Sequence, residues 1–225
     1  MGTRIFNYIK YIIECMEEVI YPYENKCVIC GEYIEENLIC KKCFGSIKYC
    51  NDAKTIGKGN NYFPAFPTCY YSGVMMELIL NLKYKGDFKS GEIIANLMYR
   101  KAKEISINAD IITFVPSSKK SYKKRGYNQS EYLAKFISEN MNIPIKYCLK
   151  KKTNTKDQIG LNGVERWLNV EGSFKVYNEK YIKNKRILLI DDVLTTGATC
   201  FYCANELKKT GAREIFILTA AKSDV

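Results

Sequence analysis

The sequence predicts an α/β fold, a mostly parallel sheet flanked by helices, with a small four-cysteine module in front of it. Three observations predict it. Short apolar runs that read as buried strands alternate with segments of helical periodicity, the pattern of a parallel sheet covered on both faces. One run, within residues 186–199 (RILLIDDVLTTGAT), passes through two adjacent acids and a glycine turn into a helical segment. Near the N-terminus two Cys-x-x-Cys pairs are separated by nine residues. At 225 residues the chain has room for one substantial domain and a small module. The boundary is drawn after residue 60, giving units 1–60 and 61–225.

The elements follow in chain order. In residues 1–20, Ile5, Ile9, Ile12, Ile13, Met16, Val19 and Ile20 fall on one helical face. Lys10, Glu14, Glu17 and Glu18 interrupt this segment and no small-residue cleavage site follows, so it is not read as a signal peptide. It is expected to dock on the protein itself, with a membrane surface as the alternative. Residues 51–67 are rich in Gly, Asn, Lys and Pro and are expected to form a loop or linker. Val74, Met75, Leu78, Ile79 and Leu82 have helical spacing and run into Lys83-Tyr84-Lys85. A second helix is expected over 90–105, with Ile93, Ile94, Leu97 and Met98 inward. Residues 111–115 read as a buried strand stopped by Pro116. A helix over 128–141, a strand over 143–148 and another at Phe174 and Val176 come next. After the strand at 186–190, Phe201, Ala204 and Leu207 mark a helix, and 214–220 is the last strand. In such sheets ligands bind beyond the carboxyl ends of strands, where the Pro116 and Asp191 loops both lie.

Lys and Arg outnumber Asp and Glu by 35 to 24, a formal charge of +11 that favours anionic partners. Composition does not separate phosphorylated metabolites from nucleic acid. There is no histidine, which removes the commonest general base and the commonest nitrogen ligand of zinc. No apolar run has the length of a membrane span, so no stable membrane insertion is expected. The expected location is the cytoplasm.

Of the ten cysteines, Cys27, Cys30, Cys40 and Cys43 form the two pairs. Each Cys-x-x-Cys turn aims two thiolates at one ion, and two such turns close a tetrahedral Zn2+ site. Gly31 suits a tight knuckle, and Lys26, Lys41 and Lys42 offset the thiolate charge. A closed four-thiolate site has no open position, so the zinc is expected to be structural. Cys50 is either a substitute ligand or a small hydrophobe. Cys200 and Cys203, on the helix after the turn, are expected to be core-facing or loosely exposed.

The stretch at 186–199 carries the chemistry. A glycine lets the backbone turn tightly and brings amides close to a ligand. Amides at a helix N-terminus favour a phosphate, and threonine hydroxyls add donors. Thr195, Thr196, Gly197, Ala198 and Thr199 supply that arrangement. Asp191 and Asp192, at the strand end, suit the hydroxyls of a sugar, or a metal. The inferred ligand is a phosphorylated sugar.

This stretch resembles the 5-phosphoribosyl-1-pyrophosphate (PRPP) signature of type I phosphoribosyltransferases. Around it stand Tyr71-x-Gly73, Lys83-Tyr84-Lys85, Val115-Pro116, Arg125-Gly126-Tyr127-Asn128-Gln129, Gln158-x-x-Leu161, Arg166-x-x-Asn169 and Phe174. In that order, and behind the four-cysteine finger, they resemble ComF-type proteins over nearly the whole chain. The resemblance implies a type I phosphoribosyltransferase fold over 61–225 and pentosyl transfer from PRPP to an unidentified nitrogen acceptor, with Mg2+ bridging pyrophosphate and ribose oxygens. It also implies that Pro116, Ser117, Ser118, Lys119 and Arg125 meet the pyrophosphate. The segment 150–172 is similar to the loop that closes over PRPP, with Gln158, Arg166 and Asn169 as contacts and Arg166 a catalytic candidate beside Asp191 and Asp192. Trp167 either packs on the body when that loop closes or sits in the core. Some ComF-type proteins are implicated in DNA uptake during natural competence. The alternative expectation is therefore a non-catalytic PRPP sensor, or a competence factor that binds single-stranded DNA or competence-machinery proteins. The chain begins Met1-Gly2, without the N-terminal cysteine of the glutaminase in amidophosphoribosyltransferases, and is not expected to hydrolyse glutamine.

Overall fold

The structure, a computed structural model, describes residues 25–152 and 163–223, except the side chains of 163–166. The expected N-terminal helix over 1–20 and Gln158 lie outside the described residues.

Five strands build the main sheet: β1 (Lys54–Lys58), β2 (Asn61–Tyr70), β3 (Ile111–Phe114), β6 (Arg186–Leu194) and β7 (Glu214–Lys222). Their order is β1-β2-β7-β6-β3. β1 runs antiparallel to β2, and the other neighbours are parallel. β4 (Leu149–Lys151) and β5 (Phe174–Val176) form a separate antiparallel pair. The helices are α1 (Lys41–Gly45), α2 (Gly73–Leu80), α3 (Phe88–Glu104), α4 (Lys119–Arg125), α5 (Gln129–Met141), α6 (Gly163–Val170) and α7 (Ala198–Lys209). A π-helical turn, Asn81–Lys85, continues α2.

The side-chain alternation of β6 builds both halves of the core. Leu188 and Ile190 join Ile94, Met98, Leu133 and Ile137 beneath α3 and α5. Ile187 and Leu189 join Phe201, Cys203 and Leu207 of α7 on the other face. A strand buried on both faces has to be apolar at every position, which is why residues 187–190 read as an unbroken hydrophobic run. The Arg186 guanidinium donates to Asp110 at 2.7 and 3.4 Å and its backbone N–H at 2.8 Å, fixing the start of β6 against that of β3.

Three expectations are corrected. Residues 51–67 are not a linker. Most of them form the β1–β2 hairpin, turning at Gly59 (φ +63°). Pro64 and Pro67 withhold ladder donors and so argue against a strand, yet burial of Ile56, Phe63 and Ala65 holds the hairpin on the sheet. Residues 143–148 make only an isolated bridge, Ile112 to Ile145, and the strand begins at Leu149. The lysine-rich stretch after Pro116 is mostly helix α4, because Ser118 caps it by accepting from the Ser121 N–H at 3.0 Å. Among the described residues no helix is long and apolar enough to cross a membrane.

Candidate functional site

The acidic pair lies within β6, not beyond it: the strand runs through both aspartates to Leu194. Alternation then separates their surroundings. Asp191 is turned inward and is 6% exposed. It accepts from the Ser130 hydroxyl at 2.9 Å, the Asp192 N–H at 3.0 Å and the Cys200 thiol at 3.4 Å. Burial, and then the neighbouring charge of Asp192, push its carboxyl up to about 7. Asp192 faces the opening. It accepts from Gln129 Nε2 at 3.3 Å and lies 3.7 Å from Lys83 Nζ. The Asp192 carboxylate in turn raises the Lys83 ammonium pKa.

The segment RGYNQS brings these partners in. Gly126 (φ +82°) ends α4, and Asn128 caps α5 by accepting from the Ser130 N–H at 3.1 Å. Asn128 also donates to the Val115 carbonyl at 2.9 Å, tying the start of α5 to the end of β3. Gln129 and Ser130 therefore leave the first turn of α5 against the two aspartates. Arg125 donates to Gln129 Oε1 at 3.0 Å and stacks 5.4 Å from the Tyr84 ring centre. Tyr127 donates its hydroxyl to the Leu82 carbonyl, which ties the π-helical turn and Lys83 to the same place.

After Leu194 the chain turns through Gly197 (φ +79°) into α7. A Cβ at Gly197 would stand 2.8 Å from Ile56 Cγ2, so both the backbone conformation and the space require glycine here. The turn and the first residues of α7 wall a cleft of about 530 Å3, within the roughly 300–1,000 Å3 of small-molecule sites. The cleft gathers Pro116, Ser117, Ser118 and Arg125 on one side and Thr195, Gly197, Ala198 and Thr199 on the other, with Asp191 and Asp192 between.

Other expected site residues fall elsewhere. Thr196 lines a neighbouring cavity. Lys119 is exposed at the start of α4 and does not line the cleft. Asn169 is half-buried on α6, and its carbonyl accepts from Ser173 at 3.5 Å. Arg166 lies on the backbone of the same helix, and its side chain is outside the described residues. The expected closing loop over 150–172 is thus partly β4 and α6. Trp167 packs 5.1 Å from Phe201 and 5.7 Å from Tyr202. Cys200 and Cys203 are buried, the core-facing alternative, while Cys50 is buried outside the four-cysteine cluster. Lys83, Gln129, Ser130, Lys151 and Ser223 also line the cleft and were not singled out as site residues. The available signal was Lys83 and Gln129 inside the motif order; nothing local marks Ser130.

The Sγ atoms of Cys27, Cys30, Cys40 and Cys43 all lie within 4.8 Å of one another, an arrangement that could hold a metal ion. Tetrahedral thiolates at about 2.3 Å from zinc would stand roughly 3.8 Å apart, and Cys30 and Cys40 are separated by 3.7 Å. Gly31 (φ +73°) donates its N–H to the Cys27 carbonyl at 2.9 Å to close the first knuckle, and Cys40 caps α1 to form the second. Burial opposes ionisation of Cys27, but hydrogen bonds with Cys30, Cys40 and Ile29 prevail and lower it to about 6.

The model of the phosphoribosyl transferase domain matches residues 127–223. The chain is similar to Competence protein F of Haemophilus influenzae, 25% identical over 94% of this chain and 96% of the relative. It is also similar to Competence protein ComFC of Bacillus subtilis, 24% identical over 89% of this chain and 82% of the relative. Among solved structures, the glutamine PRPP amidotransferase of B. subtilis is 19% identical, with a TM-score of 0.46 over 72% of this chain and 32% of that one. A match to the phosphoribosyl transferase domain behind a four-cysteine cluster, with competence-protein relatives along nearly its full length, makes the chain similar to ComF-type proteins.

Proposed function

We propose that the main cleft binds PRPP with Mg2+ and that the protein transfers the phosphoribosyl group to a nitrogen acceptor. The observation that carries this reading is the convergence on one cleft of the acidic pair, the Gly197 turn opening α7 and the Pro116–Arg125 side. The 5'-phosphate would lie on Thr195, Gly197, Ala198 and Thr199. The pyrophosphate would lie on Pro116, Ser117, Ser118 and Arg125, and the ribose hydroxyls would meet Asp192. In the transfer the acceptor nitrogen bonds to the anomeric carbon while the bond from that carbon to the pyrophosphate oxygen breaks. Pyrophosphate leaves with the electron pair, and an acceptor N–H gives up its proton. Positive charge develops on the sugar, so a fixed carboxylate beneath it lowers the barrier.

The donor set fits Mg2+ through ligand and water more than through protein. Asp191 is already bonded by three donors, which leaves Asp192 as the outward carboxylate. When bound, Mg2+ neutralises charge on the leaving pyrophosphate. Zn2+ in the four-cysteine cluster is structural on this reading, and the protein works in the cytoplasm with competence-machinery partners. Pyrophosphate release from PRPP, measured across a panel of bases and amines, tests the activity. Turnover of one acceptor that is lost in Asp192→Asn supports it, and release from none contradicts it.

One observation favours a second reading, a PRPP-sensing factor that binds single-stranded DNA. Helix α4 presents Lys119, Lys120, Lys123 and Lys124 around Tyr122, which is 49% exposed, and Tyr84 is exposed nearby against Arg125. Lysines beside open aromatic faces suit phosphates and stacked bases. Oligo-dT binding that weakens steeply with salt and with Lys123→Glu/Lys124→Glu supports it. Absence of binding at low salt rules it out.

A further inference from the structure

The charges around Asp192 conflict. It is the carboxylate left open to a divalent ion, yet the Lys83 ammonium lies 3.7 Å from it. The two side chains are only 29% and 16% exposed, so water screens little of the repulsion between that ammonium and a metal ion at Asp192. The distance is also beyond hydrogen-bond reach. Asp192 is bonded instead by the Val193 N–H at 2.8 Å and by Gln129 at 3.3 Å. Lys83 thus faces Asp192 by charge alone, and among the described residues its ammonium makes no hydrogen bond, which leaves its donors to an anion. The backbone beneath it is fixed. Asn81 and Leu82 are buried, the Tyr127 hydroxyl donates to the Leu82 carbonyl, and Gly86 (φ +66°) donates its N–H to the Asn81 carbonyl to end the π-helical turn. Such turns are rare and occur mostly at functional sites. Arg125, held by Gln129, lines the same cleft, and its charge works against the Lys83 ammonium. Two cations are therefore gathered in one cleft, and only the lysine sits on a flexible four-carbon stem.

We infer that Lys83 is a charge latch that makes a divalent ion at Asp192 conditional on a pyrophosphate group. The inference rests on the reading of the cleft as the PRPP site. With no anion beside it, the ammonium neutralises Asp192 and repels a divalent ion. A pyrophosphate group entering beside Arg125 offers the Lys83 donors charge-assisted hydrogen bonds that Asp192 does not give them. The ammonium then turns from Asp192 to the anion, and the freed carboxylate meets the ribose hydroxyls and the water shell of the ion. The anion enters before its ion or together with it, and the ion alone is kept out.

Two probes applied separately to the full chain test the latch. Mn2+ alone is followed by electron paramagnetic resonance, and inorganic pyrophosphate alone by the melting temperature with no divalent ion added. The wild type is expected to bind pyrophosphate and to bind Mn2+ only weakly. Lys83→Gln should move the two in opposite directions, weakening pyrophosphate and tightening Mn2+, each by roughly ten-fold or more. A merely structural role would weaken both. Lys83→Arg, which keeps the charge, should bind both probes like the wild type. Should Lys83→Gln fail to fold, the wild type decides: no melting shift with pyrophosphate, or one as large with Mn2+ alone, overturns the latch. If the wild type shows the Mg-PRPP melting shift and Lys83→Gln binds both probes unchanged, or both more weakly, the latch alone fails. A wild type with no Mg-PRPP shift overturns the PRPP reading and the latch with it.

Discussion

The four-cysteine module and the cleft at the end of β6 rely on different forces. Three buried cysteines are the centre of the module, with a few half-buried apolar residues such as Ile34 and Ile39 around them. Val28, Ile29, Leu38, Ile39 and Phe44 also pack against the main core, and on the proposed reading a metal ion held by the four thiolates adds coordination to that packing. The cleft instead stands on a sheet packed on both faces, and its polar groups are held by elements already fixed for other reasons. The difference teaches where each region is fragile: the module at its ligands, the cleft at its packing and at its one buried charge.

The largest expected effect tests the module. Zinc coordination in small fingers is worth roughly 10–16 kcal/mol, so a strong chelator, or Cys43→Ser, should abolish hydrogen-exchange protection around residues 26–43. Protection of β6 should persist. Simultaneous loss in both would erase the distinction between the regions. Next comes the sheet. Leu188 is fully buried, and Leu188→Ala is expected to lower unfolding stability by about 2–5 kcal/mol, read by denaturant titration. A loss under about 1 kcal/mol would contradict the core assigned to β6.

Asp191 gives a pH test. Its carboxyl is held near 7 in the folded chain, above the ordinary 3.8. The folded state thus binds the proton more tightly, and the stability this confers is present below pH 3.8 and lost as pH rises through about 7. Asp191→Asn should therefore stabilise the ligand-free protein at pH 8, by roughly 1–3 kcal/mol, and have little effect at pH 4. A melting curve for the variant parallel to the wild type across that range would remove the buried charge from the picture.

The smallest effect compares two glycines of similar backbone. Gly31 (φ +73°) has nothing within 4 Å of an added Cβ, whereas Gly197 (φ +79°) meets Ile56. Gly31→Ala should cost about 1 kcal/mol from backbone strain alone. Gly197→Ala should cost more and also weaken PRPP binding. Equal melting points for the two would mean that Ile56 gives way freely.

What could be read in advance was local. The Cys-x-x-Cys knuckles, the 187–190 run and the turn into α7 each declare themselves within a dozen residues. The hairpin did not, because Pro64 and Pro67 look like strand breakers until Ile56, Phe63 and Ala65 are seen to be buried. The two roles within the acidic pair were also invisible. Ser130 reaches Asp191 across 61 residues of sequence, and Gln129 reaches Asp192 across 63. Two neighbouring aspartates look alike on paper; only the pleat of β6 makes one a buried acid and the other the open carboxylate.

The central claim, that the cleft on β6 is a PRPP site, is tested most directly by thermal unfolding with Mg-PRPP, comparing wild type with Asp191→Asn/Asp192→Asn. A ligand that binds only the native state raises the melting temperature, by about 2.7 kcal/mol of stabilisation at one hundred times its Kd. The expected result is a concentration-dependent rise in the wild type and none in the double variant. No rise in the wild type, or an equal rise in both, would contradict the claim.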